Sequence, residues 1–561
     1  MSPRSCAAAS TLTSRPGLRA PVLALGAILL VPASSAAQVT APDGGPVASC
    51  AGQGFRIGTI TVERLDVLDL RSTGLVGWIE RSANSMHVQT RERVIRRHLL
   101  FREGDECDDE ALAQTERNLR ATGLFQKVDV HASPSVDQTV DVTIRARDAW
   151  SLRISGEFGH LGGKPAWEAG LTEANLAGSG AGIGLRHRSR FEADVTTAWF
   201  ADERFLGLRE WLGVRYDERS DGRSRAASLV RPFYSLDSRW GHEFSAAETR
   251  DHLRLYEDGL ITHEYRRRSV ETIAGVALRV ASPSATSVWR LATGFRFSAR
   301  EYEPNGTAPA GDPLLPPSHR LAGPYLNLHF VQHRFLKRTG LFVPGRDTDI
   351  NLGTQLDLGL FVSRPIAGLA TTARVSVGAA ASRGWSLPHE GLLVGTAFVS
   401  GDFGGVDERR GDAGGSLRAW WQRSPTHVLA TLLEARWRLN PDSSGRLYLG
   451  GSPGLRGYRE YALWGTQSVL VIVEDRKFFG WTLARLFQFG VAGFAEGGAV
   501  GGATSGSAGW RGAANVGAGL RIAQLRTSSN SAVRIDVAFP LVAAPDGRRQ
   551  PQLVIGYRGD Y

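Results

Sequence analysis

The sequence has few of the residues and motifs that enzymes and metal-binding scaffolds use. Its 561 residues include only three cysteines and two methionines. It contains no HExxH zinc motif, no P-loop and no GxSxG nucleophile elbow, and its histidines are scattered without the spacing of a metal site. We therefore expect no enzymatic activity, no catalytic residue, no metal and no cofactor.

Long apolar runs are absent after residue 37, so no later segment is long and apolar enough to cross a bilayer as a helix. The N-terminus itself has the pattern of a secretory signal. Arginines precede an apolar stretch over 20–31, and Ser35-Ala36-Ala37 fits the small-x-small rule for cleavage before Gln38. We expect a signal peptide over 1–37 and a linker over 38–54.

The chain also lacks a concentrated basic patch. Its net charge is +10, and nearly all the positive charge is Arg, a bias typical of GC-rich genomes. A nucleic-acid surface needs a local cluster of basic residues, whereas these arginines are dispersed through alternating segments. We expect no nucleic-acid partner.

Two cysteines remain once the predicted signal peptide, which contains Cys6, is removed. An exported chain with Cys50 and Cys107 in one small region favours a disulfide between them. Closing that loop would contribute about 4 kcal/mol by the chain-entropy estimate. The alternative is two free, unrelated thiols.

From Trp150 to Tyr561 apolar residues alternate repeatedly with polar or charged ones. The clearest segments cover 289–297, 352–362, 429–439 and 533–539. A mid-strand Arg on a lipid-facing surface costs about 2–4 kcal/mol, so residues such as Arg534 are expected to face a polar lumen. A soluble sandwich or propeller would also alternate, but it would not need Trp and Phe on outward faces of so many strands. We predict a transmembrane antiparallel β-barrel over 149–561.

Residues 55–148 follow a different pattern, that of a small α+β domain. A β-branched strand begins the segment, and helices are expected after Thr90 and Asp108, both of which are good capping residues. Two alternating strands follow, one over Gln126–Ala132 and one over Val140–Ile144. The predicted order is strand, helix, helix, strand, strand.

Several strings in this segment resemble a POTRA domain, the periplasmic module of the BamA and TamA superfamily of outer-membrane barrels. They are TRERVIRR over 90–97, FREGD over 101–105, NLR over 118–120 and GLF over 123–125. NLAGSG over 175–180 and DAWSL over 148–152 resemble the early barrel of the same superfamily. The resemblance implies one POTRA domain in the periplasm, followed by a bacterial surface antigen barrel of sixteen strands in the outer membrane. Periodicity alone allows twelve to eighteen strands.

Two further motifs resemble the superfamily's loop anchor, in which the sixth external loop folds back into the lumen. The Arg of an RGY motif pairs there with an acid of an FxDxG motif on a late strand. The matching residues are Leu455, Arg456, Gly457, Tyr458, Phe494, Glu496 and Gly498. This chain has Glu496 where the superfamily usually has Asp.

The resemblance implies that the chain inserts or translocates polypeptides. An edge strand containing Lys127, Val128, Asp129 and Val130 is expected to bind clients by strand augmentation. The seam between strand one (Leu152–Phe158) and the last strand (Leu553–Tyr561) is expected to open laterally, since Gly556 and Gly559 weaken it. The seam residues are Leu152, Ile154, Phe158, Leu553, Ile555, Tyr557 and Tyr561.

The expected partners are outer-membrane lipid, unfolded polypeptide clients and periplasmic accessory proteins. Two alternatives remain open: a pore-forming or structural surface-antigen barrel without a client, and a translocator of the two-partner-secretion type. The latter normally has an N-terminal plug helix and two POTRA domains. Pro42 and Pro46 oppose such a helix within 38–54.

Overall fold

The computed structural model describes residues 50–558 apart from 51–53, 69–72, 75–76, 79–80, 82–83, 86, 136–137, 162–163, 191, 306–310, 405–407, 452–453, 484, 503–508, 528–531, 545–546 and 548. The predicted signal peptide, most of the predicted linker, Gly559 and Tyr561 lie outside the described residues.

Two helices and 27 strands have described bounds, with short 3₁₀ turns at Leu176–Gly178, Phe205–Gly207 and Ser443–Gly445, and the described residues 74, 77–78, 81 and 84–85 are also helical. The helices are α1 Glu92–Arg96 and α2 Asp109–Ala121. The strands are β1 Arg56–Leu65, β2 Phe125–Pro134, β3 Thr139–Asp148, β4 Leu152–Leu161, β5 Lys164–Glu173, β6 Ala181–Ser189, β7 Asp194–Asp202, β8 Trp211–Arg219, β9 Gly222–Arg231, β10 Trp240–Glu257, β11 Leu260–Ser284, β12 Ser287–Pro304, β13 His319–Gln332, β14 Phe335–Thr339, β15 Asp347–Asn351, β16 Gln355–Ser363, β17 Arg374–Leu387, β18 Gly391–Gly404, β19 Glu408–Ser424, β20 His427–Leu439, β21 Leu447–Leu449, β22 Leu463–Gly465, β23 Gln467–Leu483, β24 Phe487–Gly501, β25 Arg511–Gln524, β26 Ala532–Pro540 and β27 Gln552–Arg558.

The N-terminal domain is a three-stranded sheet covered by α1 and α2. Its strand order is β1-β3-β2, with β1 parallel and β2 antiparallel to β3. The elements with described bounds follow the predicted order of strand, helix, helix, strand, strand. The apolar faces of the sheet and helices share one core, which includes Ile57, Ile95, Leu119, Phe125, Val128, Val142 and Ile144. No helix among the described residues is long and apolar enough to span a membrane.

The two expected helix caps have different outcomes. The Asp108 side chain accepts a hydrogen bond from the backbone N–H of Glu110 (3.0 Å), which caps α2 as predicted. Thr90 does not cap α1: the N-cap position is Arg91, and no side chain bonds there. Thr90 is instead fully buried, and its hydroxyl accepts a hydrogen bond from Asn175 Nδ2 (2.8 Å) in the barrel.

The rest of the chain forms a closed barrel of 20 strands, β4–β13, β16–β20 and β23–β27. The prediction of sixteen strands is therefore wrong, and the range allowed by periodicity was also too low. Alternation fixes the face of each residue but not the place where one strand ends. Several neighbouring strands are joined by only two residues, such as 220–221 and 258–259, so a pair of strands is read easily as one.

The faces of the strands follow the predicted alternation. In β26 the side chains of Val537 and Phe539 are 38% and 50% exposed, whereas Arg534 and Asp536 are 8% and 0% exposed. The outer surface is thus apolar and the inner surface charged, which is the arrangement that a barrel in lipid requires.

Two small antiparallel hairpins lie outside the barrel sheet. Hairpin β14–β15 belongs to the connection between β13 and β16, at the end of the barrel next to the N-terminal domain. Pair β21–β22 belongs to the connection between β20 and β23, at the opposite end. Both connections pack against the inward faces of barrel strands.

Candidate functional site

The long connection between β20 and β23 folds into the lumen around Leu455. This residue has a positive φ of 75° and is completely buried. It packs in a cluster with inward-facing residues of the wall, among them Leu470 and Ile472 of β23. Burial of these apolar side chains holds the loop against one side of the barrel.

Arg456 lies at the centre of a buried charge cluster. Its Nε and backbone N–H donate to the two carboxylate oxygens of Glu496, each at 2.6 Å. Its Nη1 donates to Asp536 Oδ2 (2.6 Å) and to Glu474 Oε2 (3.1 Å). The guanidinium also lies 3.5 Å from the centre of the Phe494 ring. One loop residue is thereby bonded to three strands: β23, β24 and β26.

Two wall residues complete this cluster. Arg521 of β25 donates to Asp536 Oδ1 (2.5 Å) and lies 3.1 Å from Glu474 Oε2. Asn515 Nδ2 donates to Glu496 Oε2 (2.9 Å). Three carboxylates thus share the guanidinium groups of Arg456 and Arg521, and Arg534 Nε lies 4.0 Å from Asp536 Oδ2. Because such groups are costly to bury without partners, the arrangement depends on every member staying in place.

Tyr458 and Gly457 fit the loop closely to the wall. The Tyr458 hydroxyl is 2.8 Å from the Val542 carbonyl and 2.9 Å from the Ala514 carbonyl, either of which accepts its single proton. It also accepts a hydrogen bond from the Ala514 N–H (3.2 Å). A Cβ atom at Gly457 would lie only 2.8 Å from Asn515 Cβ, so this contact requires glycine.

The structure brings together the seven residues expected to anchor the loop. Gly498 lies beneath the loop, where an added Cβ would meet Leu449 Cδ1 at 3.0 Å. Sequence reasoning missed Glu474, Asn515, Arg521 and Asp536 as members. The signal for three of them was present, because each is a charged residue on the inward face of an alternating strand.

The expected client-binding strand, with Lys127, Val128, Asp129 and Val130, is β2, which lies at an edge of the sheet. Two of its outward backbone groups are already bonded to α2. Arg120 Nη1 donates to the Val128 carbonyl (3.4 Å), and the Val130 N–H donates to Glu116 Oε2 (3.2 Å).

The opposite edge strand, β1, is covered at its start. The Ile57 N–H bonds to the Asp105 carbonyl, and the Cys107 N–H bonds to the Phe55 carbonyl. These are backbone bonds to a neighbouring segment, whereas the bonds that the described residues make to the outer edge of β2 come from two side chains.

Among the described residues, the seam between β4 and β27 has two pairs, Val554 with Gly159 and Ile555 with Phe158. At the other barrel seams the described residues form at least seven pairs, as between β5 and β6 or β26 and β27. Pairing stops at Ile555 although β27 continues to Arg558.

The seam residues are placed as follows. Ile154, Phe158 and Leu553 are exposed on the outer face, and Leu152 is half-buried at the start of β4. Tyr557 lies in β27, but its side chain, like the whole of Tyr561, is outside the described part of the chain.

Cys50 and Cys107 are joined by a disulfide, with Cα atoms 5.6 Å apart. Both belong to the core of the N-terminal domain. Among the described residues, no group of His, Cys, Asp and Glu side chains is arranged to hold a metal ion.

Comparison with known proteins identifies the N-terminal domain. Residues 85–147 match the POTRA family model, described as a surface antigen variable number repeat. This match confirms the predicted POTRA module. No curated protein sequence matches the chain.

Three solved structures are similar to the chain at low identity. BamA from Haemophilus ducreyi lacking POTRA domains 1-3 is 11% identical, over 89% of this chain and 84% of that one, with a TM-score of 0.37. CdiB from Acinetobacter baumannii is 13% identical, over 91% and 74%, with a TM-score of 0.46. CdiB from Escherichia coli is 12% identical, over 90% and 77%, with a TM-score of 0.44.

Proposed function

We propose that the chain, which joins a POTRA domain to a closed β-barrel with an apolar outer surface, is an outer-membrane protein of the BamA/TamA type, with its POTRA domain in the periplasm, and that it inserts or translocates polypeptides at that membrane. The observation that supports the proposal most strongly is the short pairing between β4 and β27. This seam is the one place where the first and last barrel strands meet.

An under-paired seam has a specific consequence in lipid. Backbone N–H and C=O groups without partners cost several kcal/mol each in hydrocarbon. Pairing with another strand therefore lowers the free energy of the strand edges at the seam. A client polypeptide can supply that strand and leave laterally as its own barrel closes. No nucleotide is needed, because client folding and apolar burial provide the free energy.

The POTRA domain would receive the client first. An extended segment added beside β2 would continue the sheet through main-chain hydrogen bonds. It would replace the bonds that Arg120 and Glu116 now make to Val128 and Val130. Side-chain contacts are easier to exchange than a neighbouring backbone strand, which favours β2 over β1 as the receiving edge.

The proposal is tested with purified protein in liposomes. A urea-denatured outer-membrane barrel is added, and its folding is followed by protease protection and by heat-dependent mobility on gels. Insertion faster than in empty liposomes supports an insertion factor. Delivery of an exported chain into the liposome interior supports a translocator of the two-partner-secretion type. Channel conductance with neither activity would instead support a pore or structural barrel without a client.

A further inference from the structure

Hairpin β14–β15 is an unusually long connection at the periplasmic end of the barrel. Other connections at this end are short, such as 388–390 between β17 and β18 and 425–426 between β19 and β20. The hairpin and its flanks extend instead over 333–354. A two-stranded hairpin is only marginally stable alone, so its position depends on the surfaces that hold it.

One side of the hairpin packs on the inner wall of the barrel. Leu341 and Leu352 contact inward-facing apolar residues of β18, β19 and β20, namely Leu392, Trp420, Val428 and Ala430. Val343, near the tip, packs with Phe478, Ala523 and Ala532 of β23, β25 and β26. The hairpin thus reaches from its own strands, β13 and β16, to strands close to the seam.

Polar bonds fix the same tip to the far wall. Arg476 Nη2 donates to the Leu341 carbonyl (3.0 Å), and Arg346 Nη1 donates to the Thr527 carbonyl (2.6 Å). Thr527 lies in the connection between β25 and β26. The segment therefore lies across the periplasmic mouth of the lumen.

The other side of the hairpin is held by POTRA helix α2. Arg120 makes two parallel bonds to the Asp349 carboxylate, both at 2.8 Å. Lys337 Nζ lies 3.3 Å from Glu116 Oε1, and the Arg117 guanidinium lies 4.5 Å from the centre of the Phe335 ring. Burial opposes the charge of Arg120, but the carboxylates of Asp349 and Glu116 outweigh it and raise the pKa of Arg120.

Arg120 and Glu116 are also the side chains that bond to the outer edge of β2. The hairpin and the edge strand therefore share the same two partners. A strand added beside β2 would compete for both side chains and so loosen their contacts with Asp349 and Lys337.

We propose that hairpin β14–β15 is a periplasmic gate, held across the lumen by the contact between α2 and the hairpin. Its opening by a client strand at β2 rests on the proposed function, whereas the gate itself does not. With α2 engaged, the hairpin is clamped between two surfaces. Loss of the Arg120–Asp349 bonds weakens the hold of α2 on the hairpin, where the Lys337–Glu116 and Arg117–Phe335 contacts remain.

The gate is tested without any client, by single-channel recording of the full-length protein in planar bilayers. Asp349→Asn removes the charge of the carboxylate with little change in size. We expect the ratio of closed to open states to fall about tenfold, the effect of losing one charge-assisted hydrogen bond.

Asp237→Asn is the matched control. Asp237, in the connection between β9 and β10, forms an exposed ion pair with Arg279 of β11 (3.0 Å), and neither residue belongs to the hairpin or to α2. Unchanged gating in D349N, or equal opening in D237N, would overturn the proposal.

An exchange of charges between residues 120 and 349 is a second test of the gate. Arg120→Glu and Asp349→Arg are each expected to open the channel, and the double variant is expected to close it again because the pair is restored with reversed charges. A double variant that leaks as much as either single one contradicts the gate. Heat-dependent gel mobility checks that each barrel is folded.

Should D349N open the channel while wild-type protein inserts no client, the gate stands and the proposed function fails. If D349N gates like the wild type while the wild-type protein does insert a client, the gate is rejected and the proposed function stands.

Discussion

Arg456 makes the most demanding set of contacts of any residue in the loop anchor. It bonds to Glu496, Glu474 and Asp536 at once. Arg456→Ala removes a partner from each buried carboxylate, which we expect to cost about 3–5 kcal/mol, or less where lumen water reaches them. Arg456→Lys should not restore stability, since one ammonium cannot reproduce the fork of bonds. The heat-dependent gel transition of the barrel measures the loss. Arg225→Ala, which removes an exposed partner of Glu248, is the control, and wild-type stability of R456K would refute the expectation.

Glu496 should behave as the other half of the same anchor. Glu496→Ala leaves the Arg456 N–H, its Nε and Asn515 Nδ2 without their present acceptor. We expect the same lowered gel transition and raised channel leak as for R456A. Because the residues act as a unit, the double variant should be far less destabilised than the sum of the two single variants. Simple additivity, or a leak in only one variant, would separate Glu496 from the anchor.

The anchor shows what sequence could and could not predict at this scale. Arg456 and Glu496 were paired only because their motifs resemble those of a known superfamily. Glu474, Arg521 and Asp536 belong to no motif, although their alternation predicts an inward direction. Which inward charges meet depends on the order and stagger of strands around the closed barrel. Barrel closure depends on residues that are distant in sequence, so alternation within one strand does not predict it.

At the scale of elements, the seam prediction can be tested by locking β27 to β4. Phe158→Cys with Ile555→Cys places two thiols at paired positions. We expect oxidation to abolish client insertion and reduction to restore it, because a covalent bond prevents lateral opening. Insertion rates in liposomes with and without reductant provide the measurement.

The matched control for the seam moves the bond to the neighbouring strand pair. Ile535→Cys with Ile555→Cys uses the same position of β27 but joins it to β26, where seven pairs already hold the strands together. This variant should insert clients equally well oxidised or reduced. If the locked seam remains active while its disulfide is complete, polypeptides do not leave between β4 and β27.

The disulfide of the POTRA domain is a second test at this scale. Cys50 and Cys107 are separated by 57 residues in sequence and lie in one core. Reduction should destabilise the domain by about 4 kcal/mol. We expect limited proteolysis to cut the reduced POTRA domain much faster and to leave the barrel intact. The C107S variant should match the reduced protein and no longer respond to reductant. Equal proteolysis of oxidised and reduced wild type would contradict a stabilising role.

Helices and strands were predicted well where neighbouring residues determine them, and poorly where residues distant in sequence determine them. The cap at Asp108 and the inward and outward faces of β26 follow from neighbouring residues alone. The strand count does not, because a two-residue connection such as 220–221 interrupts alternation too briefly to be seen. Hairpin β14–β15 was missed for a related reason. Its stability comes from α2 and the barrel wall, which are distant in sequence.

At the scale of the molecule, the POTRA domain contacts the barrel on both sides of the seam. Near β4, Asn175 Nδ2 donates to Thr90 Oγ1 (2.8 Å), and the Arg91 N–H bonds to the Gly178 carbonyl. Near β27, the Trp150 N–H bonds to the Arg526 carbonyl (2.7 Å), and Arg526 Nη1 donates to Gln126 Oε1 (3.2 Å). One domain thus joins strands that pair only weakly with each other.

This arrangement predicts that weakening the contacts between the POTRA domain and the barrel opens the seam. Asn175 is buried, and Asn175→Ala leaves Thr90 and the Gly180 N–H without their present partner, at a cost of about 1–3 kcal/mol. We expect the F158C and I555C thiols to form their disulfide more slowly in this background, because the two strands spend less time together. Asn118→Ala is the control, since Asn118 binds the Tyr234 carbonyl between β9 and β10, away from the seam. Unchanged cross-linking in N175A, or equal slowing in N118A, would mean that the POTRA domain does not hold the seam.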